Sequence, residues 1–148
     1  MSKKNKKVIC YYCAGNGKLE SSLKVYEKDY GMLWICENYP SCDAYVGCHE
    51  GTTSPKGWMA NEELRAWRKE THRLFDALWR EKIRVLHRKN GFNPKHKKQA
   101  RTAAYHWLAN QLEIETKYCH VGMFDVEMCQ LAIAACEPFY EKILWRKR

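Results

Sequence analysis

Four cysteines in two short pairs constrain this chain more than anything else in it. Cys10 and Cys13 stand in Cys-Tyr-Tyr-Cys, Cys36 and Cys42 stand in Cys-Glu-Asn-Tyr-Pro-Ser-Cys, and 22 residues separate the pairs. Two tight turns that each present two sulfurs can close a tetrahedral Zn²⁺ site. The residues between them must double back, which suits a β-hairpin. The spacing therefore predicts a zinc ribbon with one structural zinc on Cys10, Cys13, Cys36 and Cys42. The ion supplies folding energy that a ribbon of this size cannot draw from its own core. Four protein sulfurs leave no coordination position for water or substrate, so the site predicts a recognition module rather than a catalyst. Cys48 and His49 follow closely enough that either is an alternative to Cys42 as fourth ligand.

The other cysteines read differently. Cys129 and Cys136 are seven apart, together with Ala132 and Ile133, which is the apolar face of an amphipathic helix, where a free Cys behaves as a small hydrophobe. A second metal site including Cys119 and His120 is the weaker reading. Eight cysteines in a chain whose lysine-rich start lacks the apolar stretch of a signal peptide lead us to expect a reducing, cytoplasmic setting. No apolar run is long enough to span a bilayer, so no membrane partner is expected.

The net charge of +9 is localised. Residues 1–50 and 101–148 are close to balanced, whereas residues 51–100 carry thirteen Lys/Arg against five acids. Within Arg80–Lys98, the residues Arg80, Lys82, Arg84, Arg88, Lys89, Lys95, Lys97 and Lys98 face only Glu81. A basic stripe of this kind is an electrostatic footprint for a polyanion. Its alternative is a solvated helix face.

Along the chain, 1–7 reads as a flexible basic tail, 8–49 as the ribbon, 50–60 as a Gly/Pro-bracketed linker and 61–148 as a helical region with its basic stretch at 80–98. Strands are expected at Leu19–Tyr26, Met32–Cys36 and Ala44–Val46. Asn61 is a natural N-cap for a helix whose apolar positions recur from Leu64 to Leu86, and Asn90-Gly91 is a stop signal. Asn93-Pro94 opens a second helix and Asp125 caps a third, which Pro138 is expected to kink or split. The fold class is therefore α+β: a small N-terminal β zinc ribbon packed against a C-terminal region of three to four helices.

Aromatic residues crowd the ribbon. Tyr11, Tyr12 or Tyr39 is expected outward and Trp34 or Tyr45 buried. Beside Lys18, flat side chains such as Tyr11, Tyr12, Trp34 and Tyr39 suit stacking on unpaired bases, while lysines hold phosphates. Wrapping a small core is the competing role. No triad, carboxylate pair, open metal site or Gly-rich phosphate loop is present, so the sequence leans away from an enzyme.

The second knuckle, Trp34-Ile-Cys36-x-Asn38-Tyr39-Pro40-x-Cys42, resembles the C-terminal zinc ribbons of bacterial type IA topoisomerases over residues 8–47. That resemblance implies single-stranded DNA binding, with Trp34 and Tyr39 as base-stacking residues and no strand-passage activity. The whole chain resembles a family of zinc-finger-containing domains of unknown function from phages and bacteria. The residues that carry this are 38–49, Phe75-Asp76-Ala77-Leu78-Trp79, 104–109 and 119–125. The combined reading is an intracellular zinc-ribbon protein that binds nucleic acid through the basic stripe and ribbon aromatics. The alternatives are a protein-binding regulatory module, phage-encoded and acting on host transcription or defence machinery, and thirdly a nuclease.

Overall fold

A computed structural model describes residues 7–147; of the tail expected over 1–7, all but the exposed Lys7 lies outside the described residues. The fold is α+β, with a three-stranded antiparallel sheet followed by three helices. The chain divides into two compact units between Arg65 and Ala66. No described helix is long and apolar enough to cross a membrane.

In the first unit, β1 (Gly17–Ser21), β2 (Met32–Cys36) and β3 (Tyr45–Gly47) lie in the order β1-β2-β3. Gly17 pairs with Cys36 and Ser21 with Met32, and Ile35 pairs with Tyr45. The first strand is shorter than Leu19–Tyr26. The Ser21 hydroxyl accepts from the Leu23 amide, and the buried Ser22 hydroxyl accepts from the Tyr30 amide at 2.7 Å. These side chains satisfy the backbone locally, so Ser22–Lys24 coils into a 3-10 turn instead of extending. Residues 50–60 return to the ribbon: Cys48 bridges Pro55, and Tyr45 bridges Ala60. The small core here is Cys10, Cys36, Ala44 and Met59, flanked by Val8, Trp34, Cys42 and Val46.

The first helix, α1 (Glu62–Asn90), starts within the first unit, where Asn61 caps it by accepting from the Leu64 amide at 2.9 Å. Its end matches the expected stop, with Gly91 at φ +78 and its amide bonded to the His87 carbonyl. Only a residue tolerant of left-handed geometry closes a helix this way.

In the second unit α1 is followed by α2 (Lys95–Leu112) and α3 (Val126–Arg146). The Asp125 carboxylate caps α3, accepting from the Met128 amide at 2.8 Å. Two 3-10 turns, Thr116–Tyr118 and Val121–Met123, fill the connection. Phe75, Leu108, Val121 and Phe124 are fully buried. Phe75 meets the Tyr105 ring with centroids 4.7 Å apart. Contrary to expectation, Pro138 does not split α3, which is a single helix through it. Proline removes one backbone donor, but Cys129, Ala132 and Cys136 before it and Ile143 after it are all buried, so packing on both sides holds the helix together.

Cys129 and Cys136 are completely buried on α3, and burial pushes the Cys136 thiol up to about 12. They are core side chains. Replacing both with Ala should lower stability in a urea titration by about 1–2 kcal/mol, the scale for removing one small buried group at each of two sites, and should leave zinc content unchanged. Loss of metal in that double variant would contradict the core assignment.

Candidate metal centre

Each knuckle of the ribbon is built by its own backbone. In the first, the Cys10 amide donates to the Gly15 carbonyl at 2.8 Å and the Ala14 amide to the Cys10 carbonyl at 2.9 Å, with Ala14 held at φ 61. In the second, the Tyr39 amide donates to the Cys36 carbonyl, and the Cys42 amide to the Asn38 carbonyl. The turns are joined to each other as well. The Asn16 amide donates to Glu37 Oε1 at 3.1 Å, and the Glu37 amide returns a bond to the Asn16 carbonyl at 2.9 Å.

The four sulfurs converge as a result. Cys10 Sγ lies 3.5 Å from Cys42 Sγ, Cys13 Sγ lies 3.4 Å from Cys36 Sγ, and all four are within 4.8 Å of one another. Tetrahedral zinc with Zn–S bonds of about 2.3 Å sets its sulfurs about 3.8 Å apart, inside that spread. Cys10 and Cys36 are buried, Cys42 is half-buried and Cys13 is exposed. The Asn38 side-chain amide donates to Cys13 Sγ at 3.3 Å, which is the kind of support a metal thiolate takes from its surroundings. Gly15 makes room for it: a Cβ there would sit 2.9 Å from that amide nitrogen and 3.1 Å from Glu37 Oε1.

The electrostatics point to the same donor set. The Asn38 hydrogen bond lowers the Cys13 thiol to about 6. Burial pushes Cys36 up to about 12 and raises Cys42. Several thiolates this close, some of them desolvated, are stable together only around a cation. The residues thus fit one structural zinc, held by Cys10, Cys13, Cys36 and Cys42. Cys48 and His49 are not in the cluster. Among the described residues no second group of this kind occurs, and Cys119, Cys129 and Cys136 are buried thiols.

Asp43, next to the ligand Cys42, ties the second knuckle to the start of α1. Its carboxylate accepts from the Glu62 amide at 3.0 Å and from Arg65 at 3.1 Å, and Arg65 also donates to the Asp43 carbonyl. The Arg65 guanidinium lies over the Tyr45 ring, 3.9 Å from its centre. A carboxylate at a helix N-terminus meets the positive end of the dipole.

The residues expected to contact nucleic acid occupy varied positions. Tyr11 and Tyr12 are exposed, with the Tyr11 ring 5.0 Å from that of Trp58. Lys18 is exposed on β1, opposite Ile35. Trp34 is half-buried, its indole donating to the Thr53 carbonyl at 2.7 Å, and Tyr39 is half-buried on the second knuckle. Arg80, Lys82, Arg84, Arg88, Lys89, Lys95, Lys97 and Lys98 are all exposed in the second unit. The sequence reading missed Phe92, which is 80% exposed in the turn between α1 and α2. A lone aromatic between Gly91 and Asn93-Pro94 was the signal.

A family described as a zinc-finger-containing domain matches residues 6–138. The chain belongs to that family. No curated protein and no solved structure matches it.

Purified protein should carry about one zinc per chain, because one tetrahedral site uses all four thiolates. Cys36→Ser should release the metal and unfold the ribbon, as seen by atomic absorption and by loss of protection of ribbon amides in hydrogen exchange. Full metal retention in that variant would refute the ligand assignment. Asn38→Ala should keep the fold and weaken zinc binding about 10–100-fold, the usual cost of losing a supporting contact to a ligand, measured by competition with a chromophoric chelator. Since each thiol enters as thiolate, zinc uptake should release protons and weaken as pH falls.

Proposed function

We propose that this member of the zinc-finger-containing family binds nucleic acid, with the elbow between α1 and α2 gripping the phosphate backbone and exposed aromatic rings stacking on unpaired bases. The observation that carries the reading is the first turn of α2. Acids are favoured there, because the helix dipole is positive at that end. This turn instead holds Lys95, Lys97 and Lys98, all exposed, and no acid. Like charge concentrated at a helix N-terminus costs stability, and an approaching phosphate reverses that cost.

The eight cations of the stripe divide by what they touch. Arg84 is committed to Glu81, with bonds of 3.0 and 2.6 Å, and the Arg80 guanidinium lies 5.2 Å from the Trp79 ring centre. Lys82 and Lys89 line a groove on another side of α1. Arg88, Lys95, Lys97 and Lys98 remain, with no ion pair among the described residues. Between them in sequence stands Phe92, its ring 5.1 Å from that of His87. An exposed ring flanked by cations suits a single strand, whose bases are free to stack. On the ribbon, Tyr11 and Tyr12 offer a second stacking surface, while Trp34 and Tyr39 present only part of their rings.

The test is a salt-dependent binding titration of the zinc-loaded protein against single-stranded DNA, duplex DNA and RNA. Changing Arg88, Lys95, Lys97 and Lys98 to Ala should weaken binding to all three and flatten the log–log salt slope on duplex DNA by roughly three to four units if each touches a phosphate. Phe92→Ala should weaken single-strand binding selectively, by about 1–3 kcal/mol. Unchanged binding by the quadruple variant at every salt concentration would make the elbow a solvated surface and end this reading.

A further inference from the structure

A groove of about 700 Å³ runs between α1, α2 and α3 in the second unit. Its floor is apolar. Leu78, Val85 and Leu86 of α1 face Trp107 of α2 and Ile143 of α3 across it. The space exists because α2 presents Ala100, Ala103 and Ala104 where larger side chains would fill it. Its rim is basic: Lys82 and Lys89 stand on α1, Lys142 and Arg146 on α3. Glu81 is the one carboxylate of the lining, and both its oxygens accept from Arg84, which holds it below the usual carboxylate range. None of the four rim cations has an ion pair among the described residues.

We propose that this groove docks an acidic amphipathic helix of a partner protein, apolar face down and carboxylates against the rim. An exposed apolar surface edged by polar groups is the mark of an interaction site, and a groove between helices accepts a helix through anchors spaced at helical intervals. The placement of charge selects the occupant. Lys82 and Lys89 are two turns apart on one wall, about 10 Å along the axis, and Lys142 and Arg146 are one turn apart on the other, about 6 Å. A long-chain carboxylate has one charge at one end and would need its cations clustered there. Cations strung along both walls match a ligand with carboxylates along both edges of an apolar stripe. A phosphate gains nothing from the apolar floor, where Trp79, Trp107 and Phe139 stand among the aliphatic side chains. This site uses a different surface from the elbow that carries the nucleic-acid reading and does not depend on it.

The experiment titrates the zinc-loaded full chain into a fluorescein-labelled 16-residue peptide with Leu at helical spacing and Glu elsewhere, followed by anisotropy. Its controls are a scrambled peptide of the same composition, a Leu/Lys counterpart, palmitate, and single-stranded DNA as competitor. The acidic amphipathic peptide should bind at least tenfold more tightly than either control peptide. Lys142→Glu with Arg146→Glu should weaken it about tenfold, two exposed charge pairs turned from attraction to repulsion. Ala103→Gln, an exposed position where a longer side chain narrows the groove, should weaken it comparably. Both variants should keep zinc content, helicity and nucleic-acid affinity. Equal binding of the scrambled peptide would reduce the effect to unspecific charge and overturn the proposal. So would palmitate binding without peptide binding, displacement of the peptide by DNA, or a chain that sediments as a dimer until Ala103→Gln makes it monomeric.

Discussion

The first unit depends on one unfavourable arrangement, the convergence of four cysteine sulfurs within 4.8 Å. Burial works against ionising Cys36 and Cys42, and hydrogen bonding works for ionising Cys13. A divalent cation resolves the conflict. It turns four mutually repelling groups into the strongest crosslink of a ribbon whose core beside the sulfurs is small, Ala44 and Met59 with Val8, Trp34 and Val46 at its edge. The surrounding details serve that convergence. The knuckles exchange backbone bonds through Asn16 and Glu37, Gly15 leaves space for the Asn38 amide, and that amide supports Cys13.

The same residue type does different work in the second unit. Cys119, Cys129 and Cys136 are as buried as Cys10 and Cys36 but belong to no cluster of converging sulfurs among the described residues, so burial raises all three thiols, with Thr71 and Arg68 working against it at Cys129. Spacing is what separates the two roles. A pair three or six residues apart in a turn directs both sulfurs at one point, while a pair seven apart on a helix places both on the packed face. In the second unit Phe75, Leu108, Val121 and Phe124 form an apolar core.

The basic residues divide by the surface they reach rather than by residue type. The basic stretch is continuous in sequence, but winding it into α1 and the start of α2 sends its cations to different places. Some flank Phe92 at the elbow, some are occupied by Glu81 or Trp79, and Lys82 and Lys89 border an apolar groove with cations contributed by α3. A stripe that is continuous on paper becomes two surfaces of different chemistry, one of exposed cations near Phe92 in sequence and the other a basic rim around an apolar groove.

The sequence by itself determined what local spacing encodes. The cysteine pairs defined the zinc ligands, Asn61 and Asp125 fixed where α1 and α3 begin, and Gly91 fixed where α1 ends. Each of these is a backbone or ligand geometry completed within a few residues. Tertiary structure alone decided what depends on distant partners. The Ser22 hydroxyl helped cut the first strand short by reaching the Tyr30 amide across the turn. Burial on both sides of Pro138 kept α3 in one piece. The alanines of α2 opened a groove whose walls belong to α1 and α3. Periodicity marks which face of a helix is apolar, but only the packing of three helices shows where that face is left uncovered.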